Sequence, residues 1–416
     1  MEIKRDYYLN KLIESRNDKL IKIITGIRRC GKSYLLNKIF YNYLINDGVK
    51  KDHIIKVALD DSDCEDLLEP KNLSKFIKEK IVDKDVYYCL LDEIQLVKNF
   101  EGVLNGLLRI DNIDIYVTGS NSKFLSTDII TEFRGRGEEI RMYSLSYSEF
   151  MSVYDGDKLD GWTEYYTYGG LPLLVSMKND ERKMAYLNEQ KDNVYINDVL
   201  ERNNIKNDSE LVELINVISS SIGSLSNPKK ISDTFKSKEQ TSIDVKTINI
   251  YLKYLEEAFM IEKAIRYDVK GKKYINTPYK FYFSDIGIRN SFINFRQIEE
   301  THIMENIIYL ELKRRGYNVD VGVLEIKTTK EKEYIYKQLE IDFVANKGNN
   351  KIYIQSAFNM PTEEKKEQEE RPLLKINDSF KKFIIVKDYI KRTRDENGVI
   401  TMSIFDFLLD INSLEY

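Results

Sequence analysis

The stretch Gly26-Ile27-Arg28-Arg29-Cys30-Gly31-Lys32-Ser33 has the residue types and spacing of a phosphate-binding loop. Its glycines let the backbone fold around an anion. The N–H groups of the loop and of the helix that follows then face the phosphates. In that arrangement Gly26 to Tyr34 cradle a nucleoside triphosphate, Lys32 reaches the β- and γ-phosphates, and Ser33 ligates Mg2+. A second reactive group is Asp92-Glu93, which closes the run Tyr87-Tyr-Cys-Leu-Leu. Asp92 is suited to hold Mg2+ through its water shell, and the adjacent Glu93 to polarise an attacking water. The expected cofactors are ATP and Mg2+, and the expected reaction is cleavage of a phosphoric anhydride.

Two further groups extend this chemistry. Ile113-Asp-Ile-Tyr-Val-Thr118 reads as a strand ending in Gly119-Ser120-Asn121-Ser122. A polar side chain there can hydrogen-bond the γ-phosphate or position the water; Asn121 is the first choice and Ser120 the second, with a plain turn as the other reading. Phe133-Arg134-Gly135-Arg136-Gly137 places two arginines on a glycine-flanked loop. Such arginines stabilise transition-state charge, often across a subunit boundary, which would require a homo-oligomer; an ordinary solvated loop is the alternative.

These groups need a scaffold that brings strand ends together. Leu20-Ile-Lys-Ile-Ile24 reads as a buried strand before the loop, and Leu35, Leu36, Ile39, Phe40, Tyr43 and Leu44 recur at helical spacing after it. Strand, helix and strand alternate as a βαβ architecture requires, so Asp92 arrives at the carboxyl end of its strand beside the phosphates.

At this point a resemblance becomes specific. GIRRCGKS, LLDEIQ, TGSNS, the FRGRG loop and YSLSYSEF (143–150) resemble the AAA+-type ATPase domain of a large prokaryotic family. In that family the ATPase is followed by a C-terminal domain of unassigned function, and the likeness covers nearly the whole chain. The resemblance implies a parallel sheet of the class with a catalytic glutamate beside the Walker B aspartate. It names an ATPase without naming its client.

The expected organisation is an α/β P-loop ATPase core (1–155), a helical lid (156–205), a winged helix-turn-helix (206–275) and an α/β restriction-endonuclease-like domain (276–416). Gly169-Gly-Leu-Pro172 reads either as a hinge that senses nucleotide state or as a static corner. In the winged-helix segment, Val245, Ile248, Leu252 and Leu255 share one helix face, leaving Lys246, Thr247, Asn249 and Lys253 outward. The hairpin tip at Lys270-Gly271-Lys272-Lys273 supplies further lysines. This surface suits either duplex DNA or a protein partner.

In the last segment Glu305 lies on a helix, Glu340 and Asp342 on one strand, and Gln355 and Ala357 on the next. Nuclease folds of this layout hold Mg2+ on two acidic groups and use a lysine beside them. Here Gln355 stands in the glutamate position and Ala357 in the lysine position, so Glu305, Asp342 and Gln355 mark a residual nuclease site on a scaffold kept for binding. Lys337 and Lys351 are the neighbours that could compensate. Phe383-Ile-Ile-Val386 reads as the closing strand, and 363–371 as a solvated helix face.

Composition bounds the rest. The 416 residues imply several domains; 42% are hydrophobic, which is enough for real cores, and the net charge of −4 gives no global pull toward nucleic acid. The N-terminus lacks the apolar core of a secretion signal, and no apolar run approaches membrane-spanning length. Three scattered cysteines and two histidines suggest reduced thiols, a cytoplasmic setting and no zinc constellation at ligand spacing.

Overall fold

The computed structural model describes residues 2–119, 133, 135–205, 208–238, 243–296, 298–330 and 333–415, with backbone alone at 208, 238, 328–330 and 333–335. They form two compact units, residues 1–144 with 257–259, and residues 145–256 with 260–416. The expected domain boundaries fall at 155, 205 and 275. In the structure residues 145–155 and the three later segments group together in the second unit.

The first unit is built on a five-stranded parallel sheet of β1 (Ile21–Thr25), β2 (Ile54–Ala58), β3 (Tyr87–Asp92), β4 (Ile113–Gly119) and β5 (Gly137–Arg141), in the order β2-β3-β4-β1-β5. Parallel sheets covered on both faces need apolar residues throughout, and β1, β3 and β4 are buried along their whole length. Ile23, Val57, Cys89, Leu91, Ile115 and Val117 meet in one core. The β1 run contains one charge, Lys22, which is fully buried. It is held by ion pairs to Asp114 of β4 and to Asp18 at 3.1 Å. Because β4 lies between β1 and β3, the carboxyl ends of all three strands meet at one edge of the sheet.

The helix after the phosphate loop is regular at Lys32–Tyr34 and Tyr41–Asn46 but takes a wider π turn at Leu35–Phe40. Such a turn often re-aims a side chain at a functional site, and here it contains Asn37.

The second unit carries an eight-stranded mixed sheet in the order β12-β13-β11-β10-β9-β8-β6-β7. Its strands are β6 (Ile261–Asp268), β7 (Lys273–Phe283), β8 (Asn318–Lys330), β9 (Glu333–Lys347), β10 (Asn350–Ala357), β11 (Lys381–Val386), β12 (Thr393–Arg394) and β13 (Val399–Ser403). The helix Glu300–Arg314 packs on this sheet, with Tyr309 stacked on Tyr282 of β7 at 4.3 Å between ring centroids.

Two expectations change here. The 261–283 hairpin is no free wing, because β6 pairs in parallel with β8 and the hairpin is one end of the large sheet. The reason is local: residues 279–283 of β7 are all buried, and a solvated wing cannot satisfy such a run. The strand over 383–386 does not close the sheet either, since β13 pairs outside it.

The Gly169-Gly170 segment is a packed corner rather than an open joint. The Gly170 N–H donates to Asp285 at 2.9 Å, and a Cβ on Gly169 would lie 2.3 Å from the same carboxylate. The helices Lys158–Tyr168 and Asp180–Gln190 pack against Ile286–Phe292, so this segment is part of the second unit's own core. The helix Val245–Glu257 buries Ile248, Leu252 and Leu255 and exposes Lys246, Asn249 and Lys253. Among the described residues no helix is long and apolar enough to cross a membrane.

Candidate active site

The phosphate loop follows β1 directly, and its shape depends on backbone that few residues tolerate. Gly31 sits at φ 102° and opens the helix that Lys32 begins. Gly26 sits at φ 146°, where a Cβ would lie 2.1 Å from the Met142 carbonyl oxygen, so only glycine lets the chain pass. Ile27 and Cys30 are buried beneath the loop, while Arg28, Arg29 and Tyr34 face outward. Arg5 braces the loop from below, donating to the Cys30 carbonyl at 3.1 Å and the Tyr143 carbonyl at 2.7 Å. The Lys32 ammonium is buried and donates to the carbonyls of Gly26 and Ile27 at 3.0 and 3.2 Å. It is thereby tethered over the loop rather than extended into solvent.

Asp92 ends β3 beside this loop. The Ser33 hydroxyl donates to Asp92 Oδ1 at 3.0 Å, and the Asn37 amide donates to Asp92 Oδ2 at 2.9 Å. Thr118, from the end of β4, also donates to Oδ1. Burial pushes the Asp92 carboxyl above its ordinary range, the hydroxyls of Thr118 and Ser33 pull it back, and the charges of Glu93 and Asp60 raise it further. A buried carboxylate ringed by neutral donors is short of positive charge. Asn37 Oδ1, also buried, has no hydrogen-bond partner among the described residues. The surrounding oxygens of Ser33, Asp92 and Asn37 form the hard donor set that Mg2+ takes, so the residues present fit Mg2+ with a nucleotide triphosphate. Ser33 and Asp92 would hold the ion, and Gly26 to Tyr34 the phosphates.

Glu93 adopts φ 53°, a left-handed conformation that costs a non-glycine residue of order 1 kcal/mol. Its N–H donates to Thr118 Oγ1 at 2.9 Å, and Gln95 donates to its carboxylate. Thr118 thus ties Asp92 and Glu93 to one strand end and holds the bend that separates their side chains.

Residues 18–151 match the family model of an AAA domain, and residues 159–299 match that of a domain of unknown function (DUF8612). An uncharacterized protein of Haemophilus influenzae is 34% identical over 98% of both chains. The chain belongs to this AAA-domain family. An uncharacterized protein of Methanocaldococcus jannaschii is 29% identical, covering 88% of this chain and 80% of its own. A solved Walker-type ATPase of Pyrococcus abyssi is 15% identical with a TM-score of 0.49, covering 70% of this chain and 96% of its own.

The other predicted residues of the AAA domain fare differently. Asn121, its alternative Ser120 and Arg134 lie outside the described residues. Arg136 is exposed, and its carbonyl accepts from the Ile21 N–H at the start of β1. The parallel register Ile21↔Gly137 puts it at the amino edge of the sheet, the length of β1 (about 13 Å) from the phosphate loop. This chain does not bring its own Arg136 to the loop.

Sequence reasoning missed Asn37 and gave Thr118 no role. A signal for Asn37 existed: it lies one helical turn after Ser33, on the same face.

The second unit gathers its own carboxylates. Glu305 on the long helix and Glu340 and Asp342 on β9 do converge, around Lys280 of β7. Its ammonium lies 2.8 Å from Glu305, 2.7 Å from Glu340 and 3.8 Å from Asp342. Tyr282 donates to Glu305 at 2.6 Å, and the Ser356 N–H to Asp342 at 2.8 Å. Lys280, Glu305 and Asp342 are all buried. Burial first, then the Glu305 charge, pushes Asp342 up to about 8. Gln355 donates instead to Glu369 at 3.2 Å. Neither predicted lysine compensates: Lys337 is exposed, and Lys351 stacks on the rings of Tyr267 and Phe380.

Proposed function

We propose that the first unit binds Mg2+ and ATP and hydrolyses it, and that its nucleotide cycle controls what the second unit engages. The observation that carries this reading is the contact of Ser33 and Asp92 at 3.0 Å, with Glu93 turned out of the same strand end. The bound ion would neutralise the phosphates and the excess charge on Asp92. Lys32 would leave the loop carbonyls for the β- and γ-phosphates, Glu93 would orient and deprotonate the attacking water, and Asn121 would steady it. Arg136 and Arg134 would act on a neighbouring subunit's nucleotide, which requires a homo-oligomer. The partner of the second unit is duplex DNA or another protein, met through the exposed Lys246, Asn249 and Lys253.

Phosphate release from ATP with Mg2+ tests this, with and without duplex DNA and with Lys32→Ala as the blank. Turnover that Lys32→Ala abolishes is expected. Stimulation by DNA assigns the partner as nucleic acid, and turnover indifferent to DNA assigns it as protein. Tight nucleotide retention without phosphate release would replace the ATPase by an ATP-bound switch.

A second reading, an ATP-controlled nuclease, draws on the convergence of Glu305, Glu340 and Asp342. Lys280 already supplies a cation among them, so no cleavage of DNA is expected with Mg2+ or Mn2+. Cleavage that vanishes in Asp342→Ala would reinstate it.

A further inference from the structure

A group of metal-ligating side chains lies at the other end of the first unit's sheet. His53 precedes β2, and Asp83 and Asp85 precede the parallel strand β3, so all three sit at the amino edge, opposite the phosphate loop. His53 is buried, with its ring stacked on Tyr87 at 4.5 Å between centroids. Its Nε2 lies 3.1 Å from Asp83 and 3.6 Å from Asp85 Oδ2. Its Nδ1 lies 3.0 Å from Asp52 Oδ1.

We infer that His53, Asp83 and Asp85 form a site for a zinc-class divalent cation, completed by water. Two geometric observations carry this. Two atoms bound to one tetrahedral Zn2+ at 2.0–2.2 Å stand about 3.3–3.5 Å apart, and the His53–Asp83 and His53–Asp85 separations bracket that spacing. Asp52 Oδ1 stands at hydrogen-bond distance from Nδ1, where a carboxylate orients a metal-bound imidazole, while Nε2 faces the carboxylates of both Asp83 and Asp85. The exposed Lys50 lies 3.1 Å from Asp85 at the rim.

The carboxylates are also held in place. Asn112 donates its amide to the carbonyls of both Asp83 and Asp85, at 3.0 and 2.8 Å, and the Asp85 N–H donates to Asp83 Oδ1 at 2.9 Å. One imidazole with two carboxylates suits Zn2+, with Co2+ as its spectroscopic substitute, better than the all-oxygen set around Asp92. The ion would join the segments entering β2 and β3, and so stiffen the strand that delivers Asp92. The sequence reading found no zinc constellation because the ligands are spread over 53–85, with only one histidine among them.

The test uses the full chain carrying Cys64→Ser, which removes the half-exposed thiol, after chelator treatment and without nucleotide. It is titrated with Zn2+ by calorimetry and with Co2+ by visible absorption. One equivalent is expected, with the spectrum of a four-coordinate N/O site. Asp85→Asn and Asp83→Asn should each weaken binding at least about tenfold, and Asp52→Asn about 10–100-fold, as loss of an orienting partner does elsewhere. Asp85 is exposed, so Asp85→Asn should keep the wild-type circular dichroism, whereas His53→Ala removes a buried ring. Asp92→Asn should leave the stoichiometry at one, separating this site from the nucleotide site. No uptake by the parent chain, or equal uptake by parent and Asp85→Asn, would mean that a proton holds the cluster together and would overturn the proposal.

Discussion

The two carboxylate clusters solve the same electrostatic problem in opposite ways. Around Asp92 every direct side-chain donor among the described residues is neutral: the hydroxyls of Ser33 and Thr118 and the amide of Asn37. Around Glu305, Glu340 and Asp342 the protein inserts its own ammonium, Lys280. The first arrangement leaves the carboxylate's charge without a cationic partner among the described residues, as the proposed Mg2+ site requires. The second spends that charge on an internal ion pair. A cluster of carboxylates therefore says little about catalysis until the source of its positive charge is known.

Removing the internal cation is expected to have the largest effect on stability. Lys280→Ala leaves Glu305 and Glu340, with the protonated Asp342 beside them, without their cation and should destabilise the second unit by about 3–5 kcal/mol in denaturant titrations near neutral pH. The loss should shrink as pH falls and the carboxylates take up protons. An unchanged midpoint would mean that solvent already screens the cluster.

The pH dependence sharpens the same contrast. Asp342 in the folded chain holds its proton up to about 8, whereas in the unfolded chain it titrates near an ordinary value of about 4. Between these limits the folded state binds more protons. Its contribution to stability is therefore complete below pH 4 and falls as pH rises, by at most about 1.4 kcal/mol per unit. Asp342→Asn should flatten that fall in thermal melts recorded from pH 4 to 8; an equally steep fall would place the titrating group elsewhere.

At the other cluster the effects should appear on binding. Asn37→Ala removes a donor to a buried carboxylate, worth about 1.5–3 kcal/mol, and should weaken Mg2+-dependent nucleotide binding about tenfold or more. Binding measured without Mg2+ should change little. The smallest effect is on stability: Asp92→Asn removes a charge that burial disfavours, so the chain without nucleotide should gain about 1 kcal/mol while Mg2+-dependent turnover disappears. A loss of stability would mean that the bonds from Ser33, Thr118 and Asn37 outweigh the cost of burying the charge.

Much of the first cluster was legible because its parts are local. The loop, its strand and its helix are contiguous, and the apolar run into Asp92-Glu93 marks a buried strand end. Asn37 was within reach through helical spacing. Lys280 was not, because its partners lie on a helix and a strand far along the chain. Its signal was a lone lysine in the apolar run Tyr279-Lys-Phe-Tyr-Phe283, which implies a buried partner without identifying it; Lys22 in β1 gives the same signal and is answered by Asp114. The hairpin of β6 and β7 was read as a wing because turn chemistry and alternation are the same in a free hairpin and in one paired to β8. Only the long-range register Arg266↔Val321 distinguishes them.

The central claim is that the charge deficit at Asp92 serves a hydrolytic site in which Glu93 activates water. Glu93→Gln keeps the size and the strand end but removes the base. A fluorescent ATP analogue and a phosphate-release assay on wild type and Glu93→Gln test this directly. Nucleotide affinity within about twofold and turnover lower by about 10²–10⁴-fold is the predicted result. Equal turnover in the two proteins would contradict it.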